Sequence, residues 1–489
     1  MRTRLFLMSC LVGLSLTATA QRVLSLDSCR AMALQGNKQL AAARLSQDLA
    51  GNVKKAVRTK YLPKVEAIGG YTYMNKEVSL LNDEQKAGLS NLGTNAVNGL
   101  AASGLTEQLT TLLTNLGINP ATFIPTAAGA LNQSGQSIVD AFRTDTRNMW
   151  AGTVQVRQPL YMGGAIVAAN RMADISSRMA ETRIEQQTQE TLYDIDKAYW
   201  LVVSLRQKQR LAESFRSLVQ HLSEDVHKMI DEGVATRADG LKVDVKVNEA
   251  DMQMVQVENG LALSRMLLCQ LCGMPVETEF QLEDEDPDRF SLTTVSALPL
   301  EETDMNFRPE LRLLENAVEL SRQAEKLALA PYLPHVGVVG GYTFSNPNVF
   351  NGFERKVGGF WNVGVMVHVP VWNWMEGRYK VRAAKAATGI ARMTLDEAGE
   401  KIALQVAQSR FKVEEAGKRI ARARKNIESA EENLRCANAG FREGVMEATT
   451  VLEAQTAWQL AQTQRIDAEI DRKMAEVMLR KVLGALTEN

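Results

Sequence analysis

The chain has 489 residues, 23% of them charged, and a net charge of −1. That balance excludes bulk electrostatic attraction to nucleic acid, and five cysteines in this length exclude a disulfide scaffold. The four histidines (His221, His227, His335 and His368) include no i,i+4 pair and no carboxylate cluster at ligand spacing, so no metal centre is expected. No nucleophile motif or phosphate-binding glycine loop points to an enzyme, and no cofactor is expected.

Arg2 and Arg4, an apolar run from Leu5 to Leu16, and Ala18-Thr19-Ala20 read as a secretory signal over 1–20, with the mature chain starting near Gln21. Acylation of Cys10 is disfavoured by the short apolar run before it. No later stretch supplies the ~18–20 apolar residues of a membrane helix. An exported chain of this kind is either free outside the inner membrane or part of a β-barrel in an outer membrane.

In chain order, a helix is expected over about 28–60 and a strand over about 62–74. The segment 75–148 is rich in Leu, Asn, Gly and Thr. Its Leu105, Leu109, Leu112, Leu113 and Leu116 mark one short amphipathic helix, broken by Asn119-Pro120 and Pro125. A lid and a mobile, solvated loop are both open readings of this segment. A second strand spans about 149–159 and a very long helix 164–230, on the order of 100 Å at ~1.5 Å per residue. Its stripe Leu211, Phe215, Leu218, Leu222, Val226 and Met229 is spaced like a coiled-coil seam. A turn at Gly233 leads to a returning helix that ends near Gly273, where Cys269 and Cys272 are read as small packing residues. An acidic link, Leu282-Glu283-Asp284-Glu285-Asp286-Pro287-Asp288, follows. The order then recurs: helix 308–331, strands 333–345 and 360–370, an alanine-rich helix 376–440, a turn at Gly444, and a returning helix ending near Gly484.

The recurrence is a duplication. Tyr61–Tyr73 and Tyr332–Phe344 are identical at eight of thirteen positions. Trp150, Pro159, Gly233 and Gly273 match Trp361, Pro370, Gly444 and Gly484 at an offset of 211. The domains are therefore expected to be a signal peptide at 1–20, a first repeat at 21–275, an acidic linker at 276–306, and a second repeat at 307–489.

The strands alternate with period two. Trp150, Val154 and Val156 oppose Thr153, Gln155 and Arg157; Trp361, Val363, Val365 and Val367 oppose Asn362, Gly364 and His368. Tyr71, Tyr73, Tyr342, Phe344, Trp150 and Trp361 fall at one end of the strands; Tyr61, Tyr332, Tyr161, Trp372 and Trp374 fall at the other. This is the pattern of transmembrane barrel strands with aromatic rims; a soluble sheet with one buried face is the competing reading. Four strands cannot close a barrel, and lipid does not tolerate open edges. Two, three or four chains could share one. Pro63, Pro159, Pro334 and Pro370 mark the helix–strand junctions.

With its duplicated helix–strand–strand–helix–helix order, its Tyr-Leu-Pro strand starts, the junction Gln158–Gly164 and the paired turns Glu232-Gly233-Val234 and Glu443-Gly444-Val445, the chain resembles the TolC-like outer-membrane factor (outer membrane efflux protein) family. The resemblance implies a mainly α fold with β: long coiled-coil helices in an α-barrel, and four strands per chain in a shared twelve-stranded transmembrane barrel. It implies a homotrimer in outer-membrane lipid, with the helical tunnel in the periplasm. The function implied is the passive exit duct of a tripartite efflux pump or type I secretion system. A periplasmic adaptor and an inner-membrane transporter would be its partners. The periplasmic gate of the family falls on Asp239, Glu447, Thr450 and Glu453, with Thr450 departing from the acidic pattern. The adaptor-docking turns fall on Gly233, Val234, Arg237, Arg442, Glu443, Gly444 and Val445. A periplasmic coiled-coil scaffold without a pore is the alternative function.

Overall fold

The computed structural model describes residues 22–144, 146–292 and 308–486. The expected signal peptide, Cys10 and the later part of the acidic link lie outside them. The elements run β1 (Arg22–Leu24), α1 (Leu26–Gly36), α2 (Lys38–Arg58), β2 (Lys64–Tyr73), α3 (Asp83–Ser90), α4 (Leu92–Ala102), α5 (Thr106–Asn115), α6 (Pro120–Ala141), β3 (Asn148–Met162), α7 (Ala165–Asp231) and α8 (Arg237–Cys272). They continue with β4 (Phe280–Leu282), α9 (Pro287–Leu292), α10 (Pro309–Leu329), β5 (His335–Asn346), β6 (Gly358–His368), α11 (Glu376–Arg442) and α12 (Ala448–Val482). The single first helix expected from the sequence is split at Asn37. The backbone of Asn37 is extended, and its side chain accepts hydrogen bonds from the Gln39 and Leu40 amides at 2.8 and 3.2 Å. A short amide side chain that can cap its own downstream backbone breaks a helix readily. No helix among the described residues is long and apolar enough to cross a membrane.

The described chain divides into two compact units. One contains Ala56–Val167 and Lys326–Tyr379. Its centre is an antiparallel sheet in the order β2-β3-β5-β6. The register aligns the alternation of all four strands. Ala67 faces Val154, Val154 faces Tyr342, and Tyr342 faces Trp361; one pairing step along, Glu66 faces Gln155 and Gln155 faces Gly341. One face is therefore Val, Ala, Gly and aromatic across the sheet, and it is open to its surroundings: Val363 and Val365 are 70% and 67% exposed. The other face carries Thr153 and Thr343, with hydroxyls 3.0 Å apart, and the pair Arg157–Glu66 at 3.7 Å. β2 and β6 are the two edges, each paired on one side only within the chain.

Two details depart from the sequence reading. Pro159 lies inside β3, where the register slips by one residue between Pro159 and Tyr161, and the strand continues to Met162. Proline brings no amide hydrogen to the ladder, and a bulge accommodates that loss without ending the strand. The segment between β2 and β3 holds four helices rather than one. Pro125 sits within α6 without breaking it, near a start where Asn119 caps the Ala121 amide at 3.0 Å and Pro120 occupies the first turn. α6 packs on α3 and α4 at glycines: a Cβ on Gly93 would collide with the Ala128 carbonyl, and one on Gly135 with the Leu89 carbonyl. Small residues allow these backbones to touch, which a hydrophobic-stripe search does not register.

The other unit contains the described parts of Met1–Lys55, Ala168–Glu325 and Lys380–Asn489. One core gathers Cys29 of α1, Ile195, Tyr199 and Val203 of α7, Leu268 of α8 and Phe280 of β4. β1 and β4 pair in parallel beside it. A second core joins α7, α8, α11 and α12 through Phe215, Val219, Val243, Ala437 and Val451. The buried seam of α7 here is Ala212, Phe215, Val219, Leu222 and Val226, at steps of three and four. Leu211, Leu218 and Met229 of the expected stripe are half-buried beside it. Phe215, Leu222 and Val226 of the expected stripe thus hold the seam, with Ala212 and Val219 taking the places beside them.

Candidate functional site at the helix turns

Both long hairpins are stopped by the same backbone device. Gly233 has φ +77° and Gly444 φ +71°, left-handed values that favour glycine. At the first turn the Gly233 amide donates to Ile230 O at 3.0 Å and the Val234 amide to Met229 O at 2.8 Å. At the second, Gly444 donates to Phe441 O at 3.0 Å and Val445 to Gly440 O at 2.9 Å. These paired bonds satisfy the terminal carbonyls of α7 and α11. The hairpin ends repeat the pattern at Gly273 and Gly484, φ +72° each.

The helix starts after the turns differ. Thr236 caps α8: its Oγ1 accepts from the Asp239 amide at 3.3 Å, and the Asp239 carboxylate accepts from the Thr236 amide at 3.3 Å and hydroxyl at 2.6 Å. These bonds hold the Asp239 carboxyl below the ordinary carboxylate range, helped by Lys242 at 3.4 Å. In the second repeat the two residue types are exchanged: Glu447 stands at the cap of α12 with no side-chain capping bond, and Thr450 stands where Asp239 stands in the first. One repeat therefore ties its carboxylate into the cap, and the other leaves its carboxylate exposed.

The two turns lie side by side around a cleft of about 370 Å³, lined by Val234, Asp239, Phe441, Gly444, Val445 and Glu447, among others. Val234 and Val445 are 71% and 78% exposed. Of the gate residues expected from the sequence, Asp239 and Glu447 share this cleft; Thr450 and Glu453 are exposed on α12 and do not line it. Arg237, Arg442 and Glu443 are exposed at the tips. The junction prolines Pro63 and Pro334 directly precede β2 and β5, and Pro370 follows the end of β6.

The acidic link has a function in packing that its composition did not reveal. Tyr199 donates to Asp284 at 2.7 Å, Arg265 donates to both Glu285 oxygens at 3.2 Å, and Gln207 and Arg210 donate to the Glu285 carbonyl at 2.8 and 2.6 Å. Beside it Lys473 is buried over the Trp200 ring, 4.0 Å from the centroid, and burial lowers its pKa. Basic partners spaced along α7, α8 and α12 were the available signal.

This arrangement of a duplicated hairpin pair, a shared tip cleft and a four-stranded sheet with two free edges has known counterparts. The sequence profile described as outer membrane efflux protein matches residues 108–274 and 305–485. The chain belongs to the outer membrane efflux protein family. It is similar to outer membrane protein TolC of Vibrio cholerae, 22% identical over 368 residues, covering 74% of this chain and 82% of that one. It is likewise similar to outer membrane efflux protein BepC of Brucella suis, 23% identical over 380 residues, covering 76% and 80%. Among solved structures, CusC superposes with a TM-score of 0.73 at 14% identity, covering 94% of this chain and 91% of that one. VceC of Vibrio cholerae superposes with 0.70 at 14% identity, covering 94% and 96%. This efflux-family chain is thus a transport protein of the outer membrane, with the mainly α fold and four-stranded β portion of those channels.

Proposed function

We propose that three copies of this efflux-family protein close one twelve-stranded barrel and form the passive exit duct of a tripartite efflux pump or type I secretion system. The observation that carries the reading is the sheet. Its apolar face is continuous over four strands and exposed, and β2 and β6 present unpaired backbone edges. In hydrocarbon every amide and carbonyl needs a partner, so those edges require β2 and β6 of neighbouring copies. A scaffold in water would leave the same apolar face wet, which soluble proteins avoid.

On this reading the helical hairpins line a periplasmic tunnel. The turns at Gly233 and Gly444, with exposed Val234, Val445, Arg237, Arg442 and Glu443, receive the adaptor that connects to an inner-membrane transporter. Asp239, Glu447, Thr450 and Glu453 surround the gate. The helices α3–α6 connect β2 and β3 on the cell exterior.

Cross-linking in native outer membranes tests this. The expected product ladder ends at three chains, and adaptor is captured with it. A chain that is released into buffer without detergent as a folded monomer overturns the proposal.

A further inference from the structure

His335 and His368 are separated by 33 positions in the sequence, yet they stand directly opposite each other on β5 and β6. Their ring centroids are 6.0 Å apart, with the planes 35° from parallel. On the other side of His335 stands Met162 of β3. That pairing depends on the bulge. Without the one-residue slip after Pro159, Tyr161 would oppose His335 and Met162 would turn to the opposite face. Met366 lies two residues before His368, hence on the same face, opposite Gly337, which leaves room. All four side chains line one cavity of about 410 Å³.

We propose that this cavity is a binding site for a soft d¹⁰ monovalent metal ion, Cu(I), held by two imidazoles and two thioethers. The donor set decides the class of ion. Thioether sulfur favours Cu(I) over the harder divalent ions, and imidazole serves copper well. No carboxylate or thiolate lines the cavity, and among the described residues no group of three or more His, Cys, Asp and Glu could hold an ion. A metal–nitrogen bond of about 2 Å plus the ring radius places a shared ion about 3 Å from each ring centroid. The observed 6.0 Å leaves room for one ion between the two rings, with the thioethers of Met162 and Met366 completing its shell.

The surroundings support the imidazoles as ligands. His335 Nε2 lies 3.2 Å from the Ala330 carbonyl. A carbonyl can only accept, so Nε2 carries the proton and Nδ1 keeps a lone pair. A ligating histidine is commonly oriented in this way by its other nitrogen. The one cation lining the cavity, Arg157, donates to Gln155 at 3.2 and 2.9 Å and lies 3.7 Å from Glu66, so its charge is partly compensated. The site is complete within one chain and does not depend on copies closing a barrel.

The test uses detergent-purified full-length protein carrying Cys436→Ser, because Cys436 is an exposed thiol that would bind the same ions. The buried cysteines remain equal in every variant. Ag(I) nitrate in chloride-free buffer serves as the probe, with bound metal counted after desalting and the silver shell examined by X-ray absorption. The expected result is one more Ag(I) per chain in the parent than in the His335→Gln/His368→Gln variant, and a nitrogen contribution to the silver shell that the variant lacks. Met366→Leu, at an exposed position, should weaken binding at least tenfold without disturbing packing. That variant keeps the test valid if the double histidine change fails to fold. Equal silver in the parent and the folded histidine variant, a shell without thioether sulfur, or unchanged affinity in Met366→Leu overturns the proposal.

Discussion

Arg30 of α1 grips both oxygens of Asp196 on α7, Nε to Oδ1 at 2.8 Å and Nη2 to Oδ2 at 2.6 Å, and the Asp196 side chain is fully buried. This planar fork pins the first helix of the chain to the middle of the long one. A buried, bidentate pair of this kind costs most when one partner is removed, because the other charge is left unpaired away from water. Arg30→Ala, which strands the buried Asp196 carboxylate, is expected to destabilise the helical unit by about 3–5 kcal/mol; Asp196→Ala should cost less, because Arg30 keeps Asp27 at 3.3 Å. The thermal unfolding midpoint of the purified protein checks it, with Arg30→Ala/Asp196→Ala less harmful than the two single changes combined.

The Thr236–Asp239 cap should loosen in acid. The Asp239 carboxyl is held below its ordinary range, so its share of the cap is fully present above that range and is lost as pH falls through the lowered value. Thr236→Ala should cost about 1 kcal/mol locally and raise the rate of tryptic cleavage after the exposed Arg237 about fivefold at neutral pH. A fluorophore on Val234→Cys should show the loosened turn in acid for the otherwise unchanged chain, and already at neutral pH with Asp239→Asn. A turn equally rigid in both would remove Asp239 from the cap.

At Gly444 a Cβ would meet no atom within 4 Å, so a substitution there is opposed by backbone conformation alone. The left-handed φ costs an ordinary L-residue roughly 1–2 kcal/mol, more when β-branched, while asparagine tolerates it. If the protein is the proposed exit duct, Gly444→Val is expected to impair export in a strain that depends on it, and Gly444→Asn to retain it. Equal export in the two strains would count against turn conformation as a determinant of the proposed adaptor docking.

Glu453 and Glu447 supply exposed carboxylates on and beside α12, three copies each in the proposed assembly. Rings of like carboxylates in a narrow lumen attract cations and repel anions. Glu447→Ala/Glu453→Ala should shift the reversal potential in a salt gradient toward zero, with loss of cation preference. An unchanged reversal potential would remove these carboxylates from the proposed gate.

Much of the architecture was legible because it repeats. Tyr61–Tyr73 and Tyr332–Phe344 announce the same strand twice, and Gly233 and Gly444 stop the two long helices where turns were expected. The helices α3–α6 were less legible, since their contacts rest on Gly93 and Gly135 meeting backbone carbonyls, and close approach between backbones leaves no periodic stripe. The cleft at the tips was half legible. Its glycines and valines were named from sequence, but that Asp239 is tied into its helix cap while Glu447 makes no capping bond emerged only from the capping geometry.

By itself the sequence determined element type, order and facing. Period-two alternation, heptad-like spacing and left-handed glycines act over a few residues, where local sterics and solvation dominate. Only the tertiary structure decided which distant groups meet. The Pro159 bulge sets Met162 against His335, the strand register sets His335 against His368, and the acidic link closes on Tyr199 and Arg265. Such pairings depend on a one-residue choice of register and on packing between elements far apart in the chain. A slip of one position reverses the face of every side chain beyond it at almost no cost in local propensity.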